Sequence, residues 1–175
     1  MIVAILATGP SMSQAVADCV RGRCQVIAVS DAYRLAPWAD VLVSSDSAWW
    51  RHHNPEFAGR KLSGVPVKDI EQVEGNMSGS NTGLIAIKVA VSMGAKRILL
   101  LGYDMGGTHF FGSHPSPLKN TTPSRFEVFK KQFAGYKPRG VEIINCTPGS
   151  ALACYPHMTL EAALAGLAQP SLHAG

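Results

Sequence analysis

The chain has little charge, no CxxC cysteine pair and no long apolar run. Charged residues make up 16% and apolar residues 46% of its 175 residues, a balance that excludes a disordered chain. No apolar run approaches the roughly 20 residues that span a bilayer, so no membrane span is expected. The net charge of +4 is dispersed and no nucleic-acid recognition motif is present, so specific nucleic-acid binding is not expected either.

Several enzyme motifs are also missing. There is no P-loop of the form GxxxxGK[ST], and no GxGxxG follows the first apolar run, which counts against an ordinary dinucleotide enzyme. A hydrolase triad has no anchor, because no GxSxG elbow exists. The N-terminus lacks a basic n-region, and the cysteines are most simply reduced thiols, so a cytoplasmic location is expected.

What the chain does have is a regular alternation of apolar runs and helical periods. This alternation predicts one doubly wound, mainly parallel, Rossmann-like α/β sheet with helices on both faces. We expect a single domain over residues 1–170 and a frayed tail at 171–175. Strands are predicted at 2–7, 25–29, 40–43, 97–101 and 141–145, with a short or edge strand at 65–67, and helices at 12–21, 82–93, 124–136 and from Thr159.

Two local patterns refine these helices. Ser11 with Gln14 three residues later fits a capping box at the start of the first helix. In the helix at 124–136, Phe126, Phe129 and Phe133 share one face, which predicts a core stripe.

Polar residues follow the predicted strands at their carboxyl ends, where doubly wound sheets bind ligands. Glycine in the first turn lets a backbone approach closely, and the helix N-terminus after it offers N–H groups to a phosphate. The strand-end carboxylates could bind ribose hydroxyls or a metal, or could simply be caps and turn residues. The predicted ligand-binding residues are Gly9, Pro10, Ser11, Ser30, Asp31, Asp46, Ser78, Gly79, Ser80, Asn81, Tyr103 and Asp104.

Histidines mark the longest stretch without a predicted element, residues 106–123. His109 and His114 lie there, and the near-neutral pKa of histidine suits general acid or base catalysis. Asp104 with these two histidines could instead hold a divalent metal. The aromatic and basic segment 48–53 predicts a short helix or a lid over the pocket.

In this order, the motifs resemble those of bacterial sialyltransferases of the lipooligosaccharide type and of the related MptE-like (6-hydroxymethylpterin diphosphokinase-like) domains. The resemblance lies in the turn Gly9-Pro10-Ser11, the strand at 26–31, the segment 39–50 and, most clearly, the stretch 78–104 with its apolar helix and L-L-G-x-D end. The C-terminal segment 141–164 is similar too. The whole also resembles uncharacterised phage and prophage proteins.

For the sialyltransferases, the resemblance implies a CMP-sugar donor, with His109 or His114 as the base on the acceptor hydroxyl. The donor would then contact Gly9, Pro10, Ser11, Ser30, Asp31, Ser78, Gly79 and Ser80. In the family an Asn-rich strand end stands where this chain has Ser30-Asp31. A carboxylate beside the donor phosphate would repel it unless a metal intervenes.

The leading hypothesis is therefore a nucleotide-binding, glycosyltransferase-like protein that transfers a sugar by inverting displacement. One alternative, implied by the MptE-like resemblance, is a Mg²⁺-dependent pyrophosphokinase in which Asp31, Asp46 and Asp104 hold the metal. Another is a non-catalytic phage accessory or assembly protein that retains the fold. The expected ligand is a small anionic nucleotide or nucleotide sugar, with Mg²⁺ only under the first alternative, and a homo-oligomer stays open.

Overall fold

A computed structural model describes residues 1–75, 77 and 80–167 of the chain. Its strands are β1 (Ile2–Leu6), β2 (Gln25–Val29), β3 (Val41–Val43), β4 (Arg60–Ser63), β5 (Glu71–Gln72), β6 (Arg97–Leu101) and β7 (Glu142–Asn145). Its α-helices are α1 (Gln14–Val20), α2 (Ser47–His53), α3 (Thr82–Ser92), α4 (Pro123–Ala134) and α5 (Leu160–Leu164). A 3-10 helix, Ser30–Arg34, follows β2. The tail predicted at 171–175 lies outside the described residues.

The strands form one seven-stranded sheet in the order β5-β4-β3-β2-β1-β6-β7. Neighbouring strands run parallel throughout, and in the centre Ile5 of β1 pairs with Ile27 on one side and Leu100 on the other. The strand order reverses direction between β1 and β6, which makes this the topological switch point of a doubly wound sheet. The predicted Rossmann-like α/β fold is confirmed.

The sheet is covered on both faces, which explains why its central strands are continuous apolar runs. Alternate residues of β1 enter different cores: Val3 and Ile5 pack with α3 and with Phe133 of α4. Ala4 and Leu6 pack with α1, α2 and α5 on the other face. Helix α3 is apolar almost all round because it lies deep in the first of these cores, with the stretch from Leu84 to Ala90 largely buried.

The predicted start of the first helix is wrong. Helix α1 begins at Gln14, and its N-cap is Ser13, whose hydroxyl accepts a hydrogen bond from the Val16 N–H. Ser11 lies two residues before this N-cap, and its hydroxyl donates instead to Asp104, 2.6 Å away.

The predicted edge strand at 65–67 is also wrong. The chain pairs earlier and later, as β4 and β5, and Val67 forms only an isolated antiparallel bridge with Ile70. Pro66, which lies between β4 and β5, has no N–H to donate to a parallel ladder. Within the part of the chain that the structure describes, no helix has the length and apolar character needed to cross a membrane.

Candidate ligand-binding site

A cleft of about 380 Å³ lies at the carboxyl ends of β1, β2, β3 and β6, beside the switch point. Three further elements complete its walls: the start of α3, the loop after β6 and the first turns of α4. Of the predicted site residues, those that line it are Gly9, Ser30, Asp46, Ser80, Asn81, Tyr103, His109 and His114. Pro10, Ser11, Asp31 and Asp104 are not among the lining residues, and Ser78 and Gly79 lie outside the described residues.

Asp104 ties the turn after β1 to the end of β6. Its carboxylate accepts a hydrogen bond from the Ser11 hydroxyl at 2.6 Å and from the Ser11 backbone N–H at 3.1 and 3.3 Å. The Gly9 N–H donates to the Gly102 carbonyl at 2.9 Å in the same junction. The N–H that was expected to bind a ligand phosphate therefore already holds a carboxylate of the protein.

Asp31 is buried rather than aimed into the cleft, with a relative exposure of 1%. One carboxylate oxygen accepts a hydrogen bond of 2.8 Å from the indole N–H of Trp49. The other lies 3.3 Å from the Arg34 guanidinium, which supplies the opposite charge that a buried carboxylate needs. A direct contact between Asp31 and a donor in the cleft, as the resemblance implied, does not fit this burial.

The three carboxylates proposed to hold Mg²⁺ do not meet. Asp46 caps α2 by accepting from the Ala48 N–H at 2.8 Å, whereas Asp31 and Asp104 are engaged with the partners above. Within residues 1–75, 77 and 80–167, no group of three or more His, Cys, Asp or Glu side chains could hold a metal ion. Neither the three-aspartate set nor the set of Asp104 with His109 and His114 is therefore gathered as a metal site in this structure.

The two loop histidines do come together at the cleft, with ring centroids 4.6 Å apart. The loop is fixed to the end of β1, because Thr8 contacts His109 Nδ1 through its hydroxyl at 2.8 Å and accepts the Phe110 N–H at 2.9 Å. Burial and the neighbouring His114 lower the pKa of His109, so its imidazole is neutral near pH 7. A neutral imidazole beside a ligand cleft can accept a proton.

Helix α3 points its N-terminus into the cleft. Asn81 caps it by accepting from the Leu84 N–H at 2.9 Å, while Thr82 and Gly83, whose N–H groups precede any intrahelical partner, line the cleft. The buried Tyr103 hydroxyl donates to the Gly83 carbonyl at 2.9 Å, and burial raises the pKa of Tyr103 well above its usual value. Tyr103 thus stays protonated and holds the first turn of α3 in place.

Sequence reasoning missed the wall that α4 contributes. Of the predicted core stripe, Phe133 is fully buried, but Phe126 and Phe129 are half-buried and line the cleft. The Arg125 guanidinium lies over the Phe129 ring at 5.3 Å and lines the cleft too. Among the described lining residues, Arg125 is the one with a permanent positive charge. The sequence signal for this wall was Arg125 next to Phe126 at the start of α4.

Of the two forms predicted for segment 48–53, a short helix or a lid, the structure shows the helix. It belongs to α2, and Trp49 and Trp50 are buried in the core on the face opposite α3. Neither they nor His52 and His53 line the cleft.

A second cavity, of about 410 Å³, opens at the same sheet edge between α1 and α5. Met12, Val16, Met158 and Leu160 make it largely apolar. The Asn145 amide within it donates to Ser150 and Leu152 and accepts from Thr147. Because such polar groups are satisfied internally, this cavity offers little to recognise a phosphate.

Comparison of the chain with protein-family models, with curated proteins and with solved structures finds no match. The assignment of function therefore depends on the geometry of the cleft.

Proposed function

We propose that the protein binds a nucleotide-activated sugar in the cleft and transfers the sugar to an acceptor hydroxyl by inverting displacement. The observation that carries the proposal is the convergence, at the switch point of a doubly wound sheet, of a helix N-terminus, an arginine, two half-buried phenylalanines and two histidines. The helix N-terminus and the arginine suit the phosphate, the phenylalanines suit the base, and the histidines suit the acceptor hydroxyl. The resemblance to the sialyltransferases supports the same assignment.

The phosphate would be recognised at α3 rather than at Ser11. Thr82 and Gly83 line the cleft at the positive end of the dipole of this 11-residue helix, where N–H groups have no intrahelical partner. Arg125, on the facing wall, can add a charge-assisted hydrogen bond to a phosphate oxygen. Ser80 and Asn81, just before them in the chain, line the cleft too.

The base would lie against α4. Phe126 and Phe129 meet edge to face, with centroids 6.3 Å apart, and both line the cleft. Aromatic rings stack with any nucleobase, so this wall favours a nucleoside without choosing among bases.

For the reaction, His109 or His114 would accept the proton of the acceptor hydroxyl. As that oxygen bonds to the sugar carbon, the bond from this carbon to the phosphate oxygen breaks, and its electron pair leaves with the nucleotide. Inversion at the sugar carbon follows from attack on the side opposite the leaving phosphate.

Calorimetric titration of the full chain with CMP, UDP and GDP tests the proposal. We expect one of them to bind with a Kd of about 1 mM or tighter. Arg125→Gln and Phe129→Ala should each weaken binding about tenfold, because they remove a charged contact or a stacking surface. Met158→Trp, which alters the other cavity, is the matched control and should bind normally. Absence of binding by all three nucleotides at millimolar concentration would refute the proposal.

No observation favours the Mg²⁺-dependent pyrophosphokinase, because its three aspartates are engaged separately. The non-catalytic alternative shares the nucleotide site and differs in its products. Incubation of the protein with nucleotide sugars, followed by chromatography of the released nucleotide, separates binding alone from turnover.

A further inference from the structure

The buried carboxylate of Asp31 is surrounded by four side-chain nitrogens from three parts of the chain. Its Oδ1 lies 2.8 Å from Trp49 Nε1 and 3.8 Å from His114 Nδ1. Its Oδ2 lies 3.3 Å from an Arg34 nitrogen and 3.6 Å from His53 Nε2. Each oxygen thus has one strong partner and one histidine nitrogen slightly beyond hydrogen-bond distance.

Those two histidine nitrogens, His53 Nε2 and His114 Nδ1, are buried and have no hydrogen-bond partner. A buried unpaired ring nitrogen is costly, and the Asp31 carboxylate faces both of them. Only one of these histidines reaches the ligand cleft, since His114 lines it and His53 does not. The other ring nitrogen of His114, Nε2, is not among these buried atoms, and 12% of the side chain is exposed.

We infer that Asp31 is a positioning residue that fixes His114 as the Nδ1–H tautomer, with Nε2 unprotonated toward the cleft. The inference rests on the proposed function and selects His114, rather than His109, as the base of the transfer. Contacts of this kind are often long without ligand and shorten in the complex. A carboxylate behind one nitrogen of an imidazole orients the ring and stabilises the imidazolium that forms when the other nitrogen takes a proton.

Within the described residues, no carboxylate lies as close to His109 as Asp31 lies to His114. Its Nδ1 meets the Thr8 hydroxyl at 2.8 Å, and its ring stacks on Phe111 at 4.8 Å. Burial and the proximity of His114 lower the pKa of His109 on balance, against the opposite effects of Asp31 and of a hydrogen bond with Thr8. His109 therefore suits a neutral neighbour of the base better than the base itself.

The proton balance of the step is simple. The acceptor proton moves to His114 Nε2 as the acceptor oxygen bonds to the sugar carbon and the nucleotide leaves with the electron pair. The Nδ1–H remains on His114, directed at Asp31, which takes no proton. Asp31 and His109 lie against the His114 ring, and Arg34 and His53 contact the same Asp31 carboxylate; of these four groups, Asp31 is the negative one.

The test is ¹⁵N NMR of histidine-labelled full-length protein at pH 8, which is above the ordinary histidine pKa of about 6.5. His114, assigned by comparison with His114→Gln, should show a protonated Nδ1 and an unprotonated Nε2. Asp31→Asn should change that tautomer balance, and His53→Gln should leave it unchanged although it also removes a contact of Asp31. If His114 of the wild-type protein carries its proton on Nε2, the inference is overturned. This measurement needs no Asp31 variant, so it decides the question even if Asp31→Asn does not fold.

Nucleotide titration of the same samples separates the inference from the proposed function. Asp31 does not line the cleft, so Asp31→Asn should change the Kd for the best-binding nucleotide by less than about threefold. A tautomer as expected in a protein that binds no nucleotide would refute the transferase proposal and leave the Asp31–His114 pairing supported. An unchanged His114 tautomer in folded Asp31→Asn, with normal nucleotide binding, would overturn the positioning role alone.

Discussion

Replacing Gly9 by alanine should disrupt the junction between β1 and β6 at the switch point. A Cβ atom on Gly9 would lie 2.5 Å from the Gly102 carbonyl oxygen and 2.6 Å from Cγ and Oδ1 of Asp104. Real Cβ atoms essentially never approach closer than 3.0 Å. The Gly102 oxygen belongs to the backbone and accepts the Gly9 N–H, so the Asp104 carboxylate must move and its bonds to Ser11 must lengthen.

The size of the effect follows from two contributions. Forcing an extra carbon into a packed site costs about 1–3 kcal/mol. Charge-assisted hydrogen bonds of the Ser11–Asp104 type contribute about 1.5–3 kcal/mol, of which Gly9→Ala removes a part. A total loss of about 2–4 kcal/mol lowers the Tm of a domain of this size by about 4–16 °C.

Thermal unfolding followed by circular dichroism at pH 7 measures this loss, and nucleotide titration of the folded variant measures its effect on the cleft that Gly9 lines. Gly135→Ala is the matched control, because a Cβ there meets its nearest atoms at 3.6 and 3.7 Å, which is ordinary van der Waals contact. The reasoning fails if the two variants melt within about 1 °C of each other.

Three further predictions follow from buried polar groups. Trp49→Phe leaves one oxygen of the buried Asp31 without its strongest donor and should cost about 1–3 kcal/mol in urea unfolding; an unchanged midpoint would contradict it. Tyr103→Phe removes the hydrogen bond to the first turn of α3 and should cost about 1 kcal/mol and weaken nucleotide binding, both absent if the phenol only fills space. Burial lowers the pKa values of His53 and His109, so as the pH falls the unfolded chain binds protons before the folded chain does. The free energy of unfolding should therefore be full above about pH 6.5 and should decrease below it. This decrease should be less steep in the His53→Gln/His109→Gln double variant. Urea midpoints at pH 8 and pH 5.5 that coincide would rule this out.

The central strands were predictable because helices cover both faces of the sheet there, so that nearly every residue of these strands is apolar. Strand β4 was missed for the opposite reason. It lies near the edge of the sheet, where Arg60 is exposed and only Leu62 and Ser63 are buried, so no apolar run marks it. Strand β5 has the exposed pair Glu71–Gln72 and gives no hydrophobic signal at all.

The location of the candidate site was predictable from the strand ends, but the wall from α4 was not. Periodicity puts Phe126, Phe129 and Phe133 on one face without saying how far that face extends beyond the core. In the fold, Phe133 packs under the sheet edge with Tyr103 and Tyr155, whereas the two earlier phenylalanines extend over the cleft. The position of a helix along the sheet depends on contacts distant in sequence, which a single helical pattern does not contain.

The carboxylate at the end of β2 shows why neighbouring residues need separate treatment. From the sequence, Ser30 and Asp31 share one strand end, and a charge there would repel a donor phosphate. The backbone of Ser30 is in the left-handed region, with φ of 47°, and the two side chains diverge. Ser30 lines the cleft and meets the Ser44 hydroxyl at 3.0 Å, while Asp31 is buried against Arg34 and Trp49. With its charge compensated by Arg34 and its side chain outside the cleft wall, Asp31 gives no reason to require a metal between it and a nucleotide.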